Sequence, residues 1–85
     1  MRSVRFLSYF SKIVGTKSSS LPPEIETVEE ALIYLSSEFV ELHDLFNEQQ
    51  LDVSLIVDGI AIQLPIGLKM VIQDELIIGP IVAGG

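Results

Sequence analysis

Apolar positions change their spacing several times along the chain, and each change marks an element. From Ser3 to Tyr9, Val4, Phe6 and Ser8 alternate with Arg5, Leu7 and Tyr9. A period of two with aromatics included predicts a β-strand. Phe10, Ile13 and Val14 then recur at helical spacing and Gly15 follows them, which predicts one short helical turn closed by a glycine. Lys17 to Leu21 reads as a second strand. Pro22-Pro23 confines it to a sheet edge, because proline has no N–H for a ladder.

The clearest element begins at Thr27. Thr27-Val28-Glu29-Glu30 fits a capping box, with Thr27 as N-cap and Glu30 reaching back from the third helical position. Glu29 and Glu30 also suit the positive end of the helix dipole. Val28, Ala31, Leu32, Leu35, Phe39 and Leu42 fall on one face, so the helix should lay one apolar stripe across a sheet and end near Leu42. Glu30, Ser37, Glu38 and Glu41 occupy the side expected to face water.

Beyond the polar stretch Asn47-Glu48-Gln49-Gln50 the period returns to two. Val53, Leu55 and Val57 alternate with Ser54 and Ile56, and Asp58-Gly59 signals a tight hairpin. Ile60, Ile62 and Leu64 form the return strand, ended by Pro65 and Gly67. Leu76-Ile77-Ile78 is an unbroken apolar run, as in a strand buried on both faces. The order strand, strand, helix, several strands predicts an α+β domain with one principal helix over a sheet. Its expected extent is residues 1–80, followed by a flexible tail at 81–85.

Composition narrows the chemistry. With 85 residues there is room for one hydrophobic core. At 48% hydrophobic the chain is too apolar to stay unfolded. No cysteine and a single histidine argue against a zinc ribbon, a thiol nucleophile, a persulfide carrier and most metal sites. The net charge of −7 is unevenly spread. Residues 1–20 hold Arg2, Arg5, Lys12 and Lys17 and no acid, whereas residues 21–85 hold all twelve acids and only Lys69. An acidic body argues against nucleic acid and suits partners with basic docking faces, although acidity also serves solubility. Phe6-Leu7-Ser8-Tyr9-Phe10 is too interrupted for a signal peptide, and Leu76 to Gly85 is too short to span a bilayer. The expectation is a cytoplasmic protein with no membrane association.

Other candidate chemistry is sparse. His43 beside Asp44 lacks a second ligand or nucleophile and reads as a surface or interface histidine. Ser18-Ser19-Ser20 reads as a turn rather than a phosphate cradle, since no glycine-rich loop accompanies it. The aromatics suit a core or groove better than base stacking.

The sequence closes on Ile81-Val82-Ala83-Gly84-Gly85, whose side chains shrink toward the last residue. Lacking Cβ atoms, Gly84 and Gly85 allow another surface to approach the backbone closely. Such a segment can thread a narrow tunnel; it can equally be a frayed end.

Asp74-Glu75-Leu76-Ile77-Ile78-Gly79-Pro80-Ile81-Val82-Ala83-Gly84-Gly85 resembles the closing segment of the MoaD/ThiS family of ubiquitin-like sulfur carriers. Val4-Arg5-Phe6 with Gly15 is similar to that family's first strand and helix, and Thr27-Val28-Glu29 with Ala31, Leu32 and Leu35 to its helix start. Gln73 stands where a glycine is usual, Ile81 where a second proline is common, and Gly79 where a larger apolar residue is usual. Asp58-Gly59 stands where many relatives have Asn.

The resemblance implies a β-grasp fold, a mixed sheet packed on one main helix with a free C-terminal tail. It also implies that Gly85 is the attachment point, that Ala83 and Gly84 form a narrow neck, and that Pro80, Ile81 and Val82 dock on the partner. A ubiquitin-activating-type enzyme would use ATP to adenylate the Gly85 carboxylate, and a sulfur donor would convert it to a thiocarboxylate. The expected acceptor is a molybdopterin-synthase large subunit or an equivalent enzyme. The carrier would bind no cofactor or metal and supply no catalytic residue of its own. Phe6, Leu64, Leu76 and Ile78 are the expected contributors to an apolar patch beside the tail. A thiamine-pathway carrier, a modifier conjugated to lysines, and a plain interaction domain with inert glycines are the alternatives.

Overall fold

The computed structural model describes residues 2–42, 53–63 and 66–80. Five strands make one sheet: β1 (Ser3–Phe6), β2 (Ser18–Ser20), β3 (Val53–Val57), β4 (Ile60–Ile62) and β5 (Glu75–Pro80). Helices α1 (Tyr9–Val14) and α2 (Val28–Glu38) and a 3-10 turn (Ile66–Lys69) accompany the sheet among the described residues, and residues 40–42 are helical as well. The strands lie side by side as β2-β1-β5-β3-β4. β5 is therefore central, parallel to β1 with Ser3 opposite Glu75, and antiparallel to β3 with Leu55 opposite Ile78.

Local chemistry explains most boundaries. Gly15 closes α1 in the left-handed region, φ 82°, with its N–H donating to the Ser11 carbonyl. β2 is an edge strand, as the two following prolines require. The three serines are thus strand rather than turn, each opposite a residue of β1. At the start of α2 the Glu30 N–H donates to Thr27 Oγ1 (3.2 Å), and the Thr27 N–H donates to the Glu30 carboxylate (3.0 Å). The Val28 N–H donates to Met70 O and the Ile72 N–H to Glu26 O, pinning the helix entry to the segment before β5.

α2 is interrupted at Phe39, inside the stretch its apolar stripe predicts, and residues 40–42 are again helical. Phe39 leaves the helical region (φ −124°, ψ 99°), although its N–H still donates to Leu35 O. In that conformation its ring meets Phe6 edge-on, with centroids 5.8 Å apart at 79°. Leu42 nonetheless reaches the core.

Val28, Ala31 and Leu35 of α2 are buried against Val4, Phe6, Leu55, Val57, Leu76 and Ile78 of the sheet. Burying each such side chain contributes about 1.5–3 kcal/mol, which makes this layer the main stabilising contact. The opposite sheet face carries no second layer among the described residues, and Ile77 there is only half-buried. The expectation of a strand buried on both faces fails at that residue. Among the described residues no helix is long and apolar enough to cross a membrane.

Candidate functional site

β5 determines where the candidate site lies. It enters the sheet at Glu75 and leaves it at Pro80, whose main chain is level with Val53 of β3. Ile81, Val82, Ala83, Gly84 and Gly85 lie outside the described residues, as do His43 and Leu64. For Pro80 the structure places the backbone at the end of a central strand.

Around that exit the chain is tightly arranged. The Leu7 N–H donates to Ile78 O at 2.9 Å, extending the β1–β5 ladder. The Leu7 side chain then lies across Gly79, where a Cβ would come within 3.2 Å of Leu7 Cβ. Gly79 thus accommodates Leu7 at a position where the resemblance leads one to expect a larger residue. Ser8 follows with φ 53° and ψ −133°, a conformation that costs a non-glycine residue of order 1–3 kcal/mol. Its carbonyl accepts both the N–H (3.2 Å) and the hydroxyl (2.8 Å) of Ser11, which hold the turn into α1.

The apolar patch beside the end of β5 is not made of the residues expected for it. Phe6, Leu76 and Ile78 are buried beneath α2 and α1. Side chains alternate across a strand, so their neighbours in sequence take the open face. Leu7, Ile77 and Ile56 lie there, with Ile56 and Ile77 directly opposite across the β3–β5 ladder. Arg5 borders this row, in register with Ile77, and reaches Glu75 at 3.2 Å. Both ends of that pair are exposed, so it contributes little to stability.

Sequence reasoning missed the role of Asp58. It sits at φ 50° before Gly59 at φ 85°, the two left-handed residues of a tight hairpin. Its carboxylate accepts the N–H groups of Gln73 (2.8 Å), Asp74 (2.8 Å) and Glu75 (2.9 Å). Its own N–H donates to Glu75 O. The β3–β4 turn is thereby clasped to the start of β5. The N–H of Glu75 first, then those of Gln73 and Asp74, hold the Asp58 carboxyl below its ordinary pKa against some desolvation. The Glu30 carboxyl is likewise lowered, chiefly by the N–H groups of Glu26 and Thr27. Among the described residues no group of three His, Cys, Asp or Glu side chains is placed to hold a metal.

No family model matches the sequence, and no curated protein matches it. Solved structures do. Small archaeal modifier protein 1 of Methanosarcina acetivorans superposes with a TM-score of 0.76 at 21% identity, covering 98% of this chain and 94% of that one. Small archaeal modifier protein 1 of Haloferax volcanii gives 0.74 at 21% identity over 99% and 98%. A Pyrococcus furiosus protein assigned as molybdopterin converting factor, subunit 1, gives 0.71 at 17% identity over 94% and 95%. A mixed sheet with a central last strand, one main helix beneath it and these neighbours lead to one conclusion: the chain has the α+β β-grasp fold.

Proposed function

We propose that the chain is a sulfur carrier whose reacting group is the Gly85 carboxylate. The observation that carries this reading is the placement of β5: a central strand of a β-grasp sheet that leads at Pro80 into Ile81-Val82-Ala83-Gly84-Gly85. A carboxylate resists nucleophiles because it is anionic and oxide is a poor leaving group. Transfer of AMP from ATP by an adenylating partner gives an acyl-adenylate and releases pyrophosphate. Sulfide-level sulfur then attacks the carbonyl carbon and AMP departs, leaving a thiocarboxylate that a second enzyme consumes. Gly84 and Ala83 let the partner close around the backbone, and Ile81 and Val82 supply apolar contact outside the tunnel. We assign molybdopterin formation as the acceptor reaction, in line with the converting-factor subunit among the structural neighbours.

A second reading shares the adenylation step. The small archaeal modifier proteins among the neighbours favour transfer of the Gly85 carbonyl to a lysine of another protein. Deletion of Gly85 tests the common core of both. Transfer to sulfur or lysine should be lost while the unfolding midpoint stays put. Retained transfer would refute both readings at once.

A further inference from the structure

At the end of the sheet opposite Pro80, the β2–α2 connection forms a groove of about 540 Å³ lined by Arg2, Ser20, Leu21, Pro22, Pro23 and Tyr34. Tyr34 also lines a second hollow, with Ile25, Glu30, Ile33 and Ser37. Ile33 is 67% exposed.

Charge frames this apolar strip. Residues 21–42 contain Glu24, Glu26, Glu29, Glu30, Glu38 and Glu41 and no lysine or arginine. Of these, Glu29 is paired with Lys69 at 3.3 Å. Arg5–Glu75 is the other ion pair among the described residues, so Glu24 and Glu26, next in sequence to Pro23 and Ile25, and Glu38, one helical turn on from Tyr34, belong to neither. Arg2 does not reverse the sign. Its guanidinium is turned onto main-chain carbonyls, Nε donating to Ile72 O and Nη1 to Pro23 O.

We propose that this groove docks a segment of a partner protein in which apolar side chains alternate with lysines or arginines. The apolar residues seat against Tyr34, Pro22 and Ile33, and the cations face Glu24, Glu26 and Glu38. A cation over the Tyr34 ring adds to the attraction. The groove is separate from the point where β5 ends. Ser3 is opposite both Ser20 and Glu75, so the groove lies at the start of β5, whereas Pro80 lies at the other end. Five residues of strand separate the two ends by roughly 16 Å, enough for two partners to bind together.

The test is a chemical-shift titration of the full chain with a short peptide alternating leucine and lysine, beside one alternating serine and lysine. Shifts should concentrate on Arg2, Ser20–Ile25 and Ile33–Ser37 with the leucine peptide alone. Tyr34→Ala should weaken binding about tenfold, the loss typical of a buried aromatic anchor. Tyr34 is partly packed on the core, so two exposed-site variants accompany it: Ile33→Ser and the double change Glu24→Lys, Glu26→Lys. Each should weaken binding severalfold with an unchanged unfolding midpoint, and removing residues 81–85 should leave binding unaltered. The proposal is overturned by no shifts, by equal response to the serine peptide, or by shifts on the Ile56–Ile77 face. It is also overturned by concentration-dependent shifts at the groove without peptide, which would make a second copy its occupant.

Discussion

Removing the Asp58 carboxylate should unfasten the β3–β4 hairpin from β5. Three N–H groups share that carboxylate at 2.8–2.9 Å. A hydrogen bond to a charged acceptor contributes about 1.5–3 kcal/mol where water is excluded. Asp58 is exposed, so screening reduces this, and water can satisfy the three donors once the side chain is gone. A net loss of about 2 kcal/mol is expected for Asp58→Gly, which keeps the backbone comfortable at φ 50°. Asp58→Ala should lose about 1 kcal/mol more, because alanine bears the left-handed penalty without the carboxylate. For a domain of this size each kcal/mol lowers the midpoint by about 4–8 °C, so Asp58→Gly should melt roughly 8–16 °C below the parent. The assay is thermal or urea unfolding across pH. The folded pKa of Asp58 is depressed, so its stabilisation is complete above the unfolded carboxyl value of about 3.9 and disappears as pH falls through the folded value. The gap between parent and Asp58→Gly should therefore be full at neutral pH and narrow in acid. A gap below about 0.5 kcal/mol, or one equally wide at every pH, would refute the clasp.

Other substitutions probe other contacts. Leu35→Ala removes a fully buried side chain beneath the sheet and should cost about 2–5 kcal/mol, read from the urea midpoint. At Gly67 a Cβ would meet Ile62 Cδ1 at 2.7 Å and Cβ at 2.9 Å, so Gly67→Ala should cost about 1–3 kcal/mol by forcing Ile62 aside. Loss of the capping hydroxyl in Thr27→Ala should cost about 1 kcal/mol, with Thr27→Ser restoring most of it in the same unfolding assay.

Much of this architecture is legible in the chain because short-range chemistry encodes it. Thr27 and Glu30 are three residues apart and announce the helix start, and Asp58-Gly59 announces the turn. The buried face of the sheet is not legible in the same way. Leu76, Ile77 and Ile78 are all apolar, and Ile56 interrupts the alternation of β3, so either face could be the inner one. Packing of α2 decides in favour of Leu76 and Ile78, and Ile77 is left on the open side. The break in the helix escapes the pattern too. Phe39 keeps its place in the stripe yet leaves the helical region, where its ring meets Phe6, a residue more than thirty positions away. The Asp58 clasp spans 15–17 residues, and a turn signal carries no information about that distance. The candidate site divides similarly: Gly84 and Gly85 are visible as sequence, whereas Leu7 folded across Gly79 is visible only in three dimensions.

The central claim, that the final carbonyl is the seat of reactivity, is tested most directly by intact-mass analysis. The purified chain is incubated with an adenylating enzyme of the ubiquitin-activating type, ATP and a sulfide donor. The account predicts replacement of one oxygen by sulfur, confined to the fragment containing Gly85 and absent without ATP. An unaltered mass with an enzyme that adenylates its own carrier and accepts this chain as a binding partner would contradict it.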